Sequence, residues 1–202
     1  MKELLNKSNN ILKQFGYKKK GASFWKIDNG FYKLIDFQKG THGGGYFFVN
    51  VCVHPVGLPE LLTDKLSIIE QPREYECILR QRIEQIVSNG QLEAFKRGLV
   101  SLDDGETIQA VIDALSNDVE QWLGKWGACE TIACMKEDEI TNMLTVIPKL
   151  KKKAYLMLKF YCMLRLGDKN KAMDVLEKYM GENIEGLAFP QVDNYLNTLV
   201  GI

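Results

Sequence analysis

The N-terminal pattern predicts an amphipathic helix, because its apolar residues recur every three or four positions. These residues are Leu4, Leu5, Ile11, Leu12 and Phe15. Gly16 follows them directly, and glycine often ends a helix because it tolerates the left-handed backbone conformation. We therefore expect the first helix to end at about Phe15.

The next three segments predict β-strands, because they are rich in aromatic and β-branched residues. They cover residues 23–28, 31–39 and 46–54. The Asp28-Asn29-Gly30 junction predicts a tight hairpin turn, since Asn and Gly accept the positive φ angles that such turns require. Residues 77–83 fit either a fourth strand or the start of a helix, and we favour the strand.

Apolar residues alternate with a more mixed set in the third strand. Phe47, Val49, Val51 and Val53 occupy one set of positions, and the mixed set between them ends at His54. Because successive side chains of a strand point to opposite faces, this alternation predicts an antiparallel sheet with one covered face.

From about residue 106 onwards, the apolar residues recur every three or four positions, which is the spacing of helices. Helices are predicted at residues 106–124, 139–147, 149–166, 169–180 and 191–200. The fold class is thus α+β: an N-terminal helix on a three- to four-stranded antiparallel sheet, followed by a mainly helical C-terminal half. Residues 1–125 form the α+β domain and residues 126–202 a helical extension, or both parts form one continuous domain. The predicted core comprises Phe15, Trp25, Phe37, Phe47, Val49, Val51, Leu115, Trp122, Leu158, Phe160 and Leu176.

Charge and cysteine content limit the classes of partner and the compartment. The 26 basic and 26 acidic side chains cancel, so no global field attracts the protein to nucleic acid or to an anionic membrane. The most apolar stretch, residues 154–166, is interrupted by Lys159 and falls short of the roughly 20 residues that cross a bilayer. Five dispersed cysteines, and an opening without an apolar signal core, favour the reducing cytoplasm.

An acidic segment covers residues 103–120 and contains no basic residue. Solvation of the surface and capping of a helix N-terminus explain such clusters in most proteins. The functional interpretation is a surface for a protein partner, with Asp113, Asp118 and Glu120 as the contacting residues.

Arg80 and Arg82 are the strongest candidates for ligand binding. If residues 77–83 form a strand, both guanidinium groups lie on one face and can hold a carboxylate, a phosphate or an acidic protein surface. His54 and Gln38 are the further polar contacts that we expect in such a site. The structural alternative is an ion pair with an adjacent acid: Glu74, Glu76 or Glu84.

No catalytic, metal-binding or cofactor signature stands out. Cys129 and Cys134, or Cys52 and His54, do not amount to four converging zinc ligands. The glycine-rich run at residues 40–45 leads from strand to strand, whereas a phosphate-binding loop leads from strand to helix. We therefore expect no metal, no cofactor and no catalytic residue. The sequence leaves enzymatic activity open, and we favour a protein that is not an enzyme.

Several of these segments are similar to an uncharacterised bacterial family, the domain of unknown function numbered four-three-zero-four. The similar features are the Phe-Gly-aromatic-Lys step that begins at Phe15, the strand that carries Gln38, the strand that carries Asn50, and the segment from Cys77 to Arg82. The resemblance covers roughly residues 8–125. It implies an α+β fold with an antiparallel sheet, and it assigns no reaction.

Two functions from different classes are consistent with this sequence. The first is a non-enzymatic protein-protein interaction module, such as an immunity-type protein that neutralises a toxin through the acidic segment. The second is a small-ligand-binding protein or enzyme with an anion-binding pocket between sheet and helices. The sequence leaves the oligomeric state open.

Overall fold

A computed structural model describes residues 1–40, 46–66, 72–87, 100–101 and 105–201. By its contacts the chain divides into two compact units. The first unit contains residues 1–53 and 80–127, and the second contains residues 54–79 and 128–202. The predicted division at residue 125 concerns domains, and it stays a prediction.

The first unit contains an antiparallel sheet. Its strands are β1 (Lys18–Lys20), β2 (Ser23–Asp28), β3 (Phe31–Lys39), β4 (Tyr46–Pro55), β5 (Leu79–Arg82) and β6 (Val100–Ser101). The first five lie side by side in chain order, and β6 pairs with β4. The α+β class and the four predicted strands are confirmed.

The turn between β2 and β3 is the tight hairpin that the sequence predicts. Asp28 pairs with Phe31, so two residues form the loop. Asn29 and Gly30 both have positive φ, at 50° and 77°, and such a turn matches the twist of the strands that it joins.

Strand β1 was not predicted. Its three lysines are all exposed, so it carries no alternation of buried and exposed residues. It pairs with residues 23–25 of β2 and lies at the edge of the sheet, where lysines discourage pairing with other chains.

The helices of the first unit are α1 (Lys2–Leu12), α2 (Ile83–Ile86), α3 (Gly105–Ala114) and α4 (Glu120–Trp126). A π turn, Leu115–Val119, joins α3 to α4, so the predicted helix at residues 106–124 is confirmed. Phe24, rather than Trp25, is buried on β2, and Leu123 and Trp126, rather than Trp122, are buried on α4.

One further core assignment was wrong, and so was the prediction for one face of β4. Phe15 is 38% exposed, because α1 ends at Leu12 and a turn leads from there to Gly16 at a φ of 83°. The expected mixed face of β4 is also covered, since every residue from Val49 to Pro55 is buried.

The second unit consists mainly of helices. They are α5 (Cys129–Cys134), α6 (Glu137–Ile140), α7 (Lys151–Arg165), α8 (Lys169–Gly181) and α9 (Pro190–Val200), with 3-10 turns at Thr141–Met143 and Pro148–Leu150. The last three predicted helices are confirmed. The one at residues 139–147 is wrong: Leu144 forms a β-bridge to Leu79, and Pro148 disfavours helical backbone at the residue before it.

Polar side chains fasten these helices to one another. The buried Lys153 of α7 donates to the carbonyl oxygens of Tyr179 and Glu182, at 3.1 and 3.3 Å, and so satisfies groups at the C-terminal end of α8. None of the helices in the described part of the chain is long and apolar enough to span a bilayer.

Candidate functional site

The two faces of the sheet differ in chemistry. Phe24, Phe37 and Phe47 form a chain of ring contacts, with centroids 5.8 and 6.4 Å apart, and this places them on one face. Because side chains alternate along a strand, Gln38 and Phe48 lie on the opposite face.

Arg80 and Arg82 lie on this opposite face as well. The guanidinium carbon of Arg82 is 4.2 Å from the centroid of the Phe48 ring, within the range of a cation-π interaction. Arg80 is two residues earlier on β5 and therefore shares the face. Asn50 is two residues after Phe48 on β4 and therefore shares its face. We call Gln38, Phe48, Asn50, Arg80 and Arg82 the arginine face.

Burial changes across the arginine face. Asn50 is 4% exposed, whereas Gln38, Phe48 and Arg80 are half-buried and Arg82 is exposed. The arginine face thus contains a buried amide, a half-buried guanidinium group at Arg80 and an exposed one at Arg82.

The two arginines differ in their acidic partners. Glu84 lies 3.9 Å from Arg82, which is the ion pair that the structural alternative required. This separation is near the limit for an ion pair, and burial raises the pKa of Glu84. Among the residues that the structure describes, no acid forms an ion pair with Arg80. Within the described part of the chain, the Arg80 guanidinium group therefore has no acid to neutralise it.

His54 belongs to the second unit and is held by the backbone. Its Nδ1 accepts the N–H of Ile78 at 3.2 Å, so this nitrogen carries no proton. Burial lowers the pKa of His54 to about 4, and a hydrogen bond with the backbone of Leu58 acts in the opposite direction. The imidazole is consequently neutral near pH 7.

His54 also lines a cavity of about 70 Å³ within the second unit. The other polar residues around this cavity are Glu60, Tyr75, Glu76 and Thr145. All four already have hydrogen bonds. Glu60 accepts from the Thr63 hydroxyl, and Glu76 and the Tyr75 hydroxyl accept from the amide and the guanidinium group of Arg73. The Thr145 hydroxyl donates to backbone carbonyl oxygens. Of the four residues predicted to bind a ligand, the described lining contains His54 alone, while the other three lie in the first unit.

Comparison with known proteins gives one match. The family model described as Domain of unknown function (DUF4304) matches residues 8–165, which is more than half of the 202 residues. The chain belongs to this family. No curated protein and no solved structure matches it.

The DUF4304 match includes every residue of the arginine face. It extends beyond the resemblance noted from sequence, which stopped near residue 125, and it ends at Arg165, the last residue of α7. Part of the helical half thus belongs to the DUF4304 region, while α8 and α9 follow it.

The carboxylates of the acidic segment in this DUF4304 chain differ in their exposure and in their hydrogen bonds. Asp113 is exposed and accepts a hydrogen bond from Gln109, and Asp118 is half-buried. Glu120 accepts from the Tyr17 hydroxyl at 2.7 Å and from Lys26 at 2.9 Å, so its carboxylate is committed to the fold. The Asp103 and Asp104 positions lie outside the described residues, as does the glycine-rich run at 41–45.

Phe48 and Asn50 were missed as site residues. Their signal was present in the sequence, because the even positions of β4 carry a mixed polar and apolar set. We interpreted that set as the mixed, uncovered face of the sheet, whereas the contact between Arg82 and Phe48 depends on the position of β5 beside β4.

Proposed function

We propose that this protein is a non-catalytic binding module that recognises a phosphate-bearing ligand through Arg80 and Arg82. The proposal is supported by the position of Arg80 and Arg82 two residues apart on β5, which puts both side chains on one face, and by the contact of the Arg82 guanidinium group with the Phe48 ring. Asn50 adds amide hydrogen-bonding groups on the same face.

A phosphate group suits two arginines better than a carboxylate does. One guanidinium fork already satisfies both oxygens of a carboxylate, so a second fork gains little. A phosphate has three or more acceptor oxygens and up to two negative charges, which two forks can share. Phe48 supports the Arg82 side chain by a cation-π contact.

A role in binding rather than catalysis also agrees with the state of His54. A general base must have a free nitrogen near the reacting group, and the Nδ1 of His54 accepts a backbone amide. We keep a cytoplasmic location as part of the proposal.

A protein partner at the acidic segment is the second candidate function. It is supported by the exposure of Asp113 on α3. An immunity-type role would use this carboxylate against a basic toxin surface. Glu120 contributes less than expected, since Tyr17 and Lys26 already occupy it.

The test of the phosphate proposal is calorimetric titration of the full chain with inorganic phosphate and, separately, with acetate. Both titrations are made at low and constant ionic strength, because salt screens such contacts. We expect saturable phosphate binding that exceeds acetate binding.

The variants Arg80→Gln and Arg82→Gln should each weaken phosphate binding about tenfold or more, as charged hydrogen bonds contribute about 1.5–3 kcal/mol. Arg73→Gln is the matched control, because Arg73 is also exposed but contacts Tyr75 in the second unit. Equal loss in all three variants, or phosphate binding no stronger than acetate binding, would contradict the proposal.

A further inference from the structure

The cavity of the second unit has no part in the functions proposed above. Its volume is about 70 Å³, and the residues around it come from three stretches of the chain, within 54–62, 75–78 and 145–146. Apolar side chains form much of its wall. They are Pro59, Leu61, Leu62, Ile78 and Val146.

Two carboxylates give this cavity a negative charge. Glu60 and Glu76 both line it and are half-buried. In each of them Oε2 accepts one hydrogen bond at 2.7 Å, from the Thr63 hydroxyl and from the Arg73 amide. Within the described part of the chain, neither Oε1 accepts a hydrogen bond and neither carboxylate forms an ion pair. Because a carboxylate has about four lone-pair sites, each of them can accept from a further donor.

No positive charge in the described lining offsets these carboxylates, since it contains neither lysine nor arginine. The histidine of the lining, His54, is neutral near pH 7 because burial lowers its pKa to about 4. The Arg73 guanidinium group donates to the Tyr75 hydroxyl at 2.7 Å, but Arg73 does not line the cavity. Two carboxylates without a counter-charge in the cavity favour a cationic ligand.

We propose that this cavity binds the ammonium end of an aliphatic amine, with Glu60 and Glu76 as its acceptors. An ammonium group has three N–H donors and no acceptor, which suits a cavity whose available polar atoms are carboxylate oxygens. The apolar wall suits the methylene groups behind the nitrogen. A divalent metal ion fits less well, because the described residues contain no group of three side chains able to hold one.

The size of the cavity limits the part of the amine that enters it. A cavity of about 150 Å³ holds benzene, so 70 Å³ suits a group of about three non-hydrogen atoms. An ethylammonium ion has this size, as do the last three atoms of a lysine side chain. Two lining residues, Leu62 and Tyr75, are 53% and 54% exposed, which places the cavity near the surface of the unit.

The experiment follows the backbone amide of Ile78 by NMR while the folded full chain is titrated at constant ionic strength. Ile78 lines the cavity and donates to the Nδ1 of His54 at 3.2 Å, so its signal reports on the site. The three ligands are ethylammonium, ethanol and acetate, which share a two-carbon skeleton and differ in charge. We expect a saturable shift with ethylammonium, binding of ethanol about fivefold weaker or more, and no saturable shift with acetate.

A fourth titration identifies the source of the amine. A lysine blocked at both its amino and carboxyl ends presents the same ammonium group on a peptide unit. Tighter binding of the blocked lysine than of ethylammonium would assign the cavity to a lysine side chain of a peptide. Tighter binding of ethylammonium would assign it to a free amine, and either order supports the site.

The variants Glu60→Gln and Glu76→Gln should each weaken ethylammonium binding about two- to fivefold, as expected for half-exposed ion pairs. Glu177→Gln is the matched control and should leave binding unchanged, because Glu177 is an exposed residue of α8 in the same unit and does not line the cavity. The ligand series on the unaltered chain decides the matter if a variant does not fold. Ethanol or acetate that binds as tightly as ethylammonium, no saturable shift with ethylammonium, or an equal loss in Glu177→Gln would overturn the proposal.

Discussion

Gly127 follows α4 at a position where a side chain does not fit. A Cβ atom there would lie 2.5 Å from the Cε of Lys33 and 2.6 Å from the carbonyl oxygen of Leu123. Lys33 cannot easily move, because it is buried and its ammonium group is 2.6 Å from Asp28.

We expect Gly127→Ala to lower the free energy of unfolding by about 1–3 kcal/mol, the usual cost of overpacking. The control is Gly124→Ala in the same helix, where a Cβ would meet nothing within 4 Å. That change should stabilise by about 0.5–1 kcal/mol, because alanine favours helix. Urea unfolding measures the free energy of unfolding of both variants. Equal changes in the two variants would show that Lys33 does not restrict the position of Gly127.

His54 predicts a pH dependence of stability. Its pKa falls from 6.5 to about 4 on folding, so between these values the unfolded chain binds a proton that the folded chain does not. Stability therefore rises with pH through this window and is lost as the pH falls, by about 3 kcal/mol in total.

Urea unfolding between pH 4 and pH 7 tests this contribution of His54. The matched variant is His54→Asn, whose side-chain oxygen can still accept the Ile78 amide. The variant should lose about 3 kcal/mol less than the unaltered chain as the pH falls. Parallel curves for the two proteins would refute the assignment.

At the scale of the elements, helix α9 is capped at its N-terminus by Asp64, which is far from it in the sequence. The carboxylate of Asp64 accepts the N–H groups of Gln191 and Val192, at 3.1 and 2.9 Å, in the first turn of the helix. Such a carboxylate satisfies free amides and interacts with the positive end of the helix dipole.

We expect Asp64→Ala to destabilise the protein by about 1–2 kcal/mol, as for the loss of other N-caps. Asp64 has a φ of 51°, a conformation that asparagine tolerates better than alanine does. Asp64→Asn keeps one acceptor and should lose less. Thermal unfolding compares the two variants, and no loss in Asp64→Ala would exclude the capping role.

Strand β2 and helix α4 are joined through Glu120. Because this carboxylate serves both Tyr17 and Lys26 with only 18% of its side chain exposed, Glu120→Lys should destabilise by about 2–3 kcal/mol. Asp113→Lys, on an exposed position of α3, should change stability by less than about 0.5 kcal/mol. Denaturant unfolding distinguishes them, and only Asp113→Lys is then a clean test of partner binding.

Elements with a clear hydrophobic period could be predicted from the sequence, while those fixed by tertiary contacts could not. The hairpin at Asn29 and the helices α7, α8 and α9 follow from turn chemistry and apolar spacing. Strand β1 has only lysines, and Leu144 is held by a bridge to Leu79. Neither feature leaves a local pattern, so both were missed or assigned wrongly.

For the whole molecule, the sequence predicted the common face of Arg80 and Arg82 because strand geometry alone determines it. The rest of the arginine face depends on which strands are neighbours, and no local pattern contains that information. His54 was placed in the same site from its residue type, whereas the structure commits it to Ile78 and the cavity of the second unit.

The central claim is that Arg80 and Arg82 bind one phosphate group together. The most direct measurement follows the side-chain Nε–H signals of the arginines by NMR while inorganic phosphate is added at constant ionic strength. We predict that Arg80 and Arg82 shift along one common saturation curve, while Arg73 changes little. Shifts that are absent, that never saturate, or that are equal for all three arginines would contradict the claim.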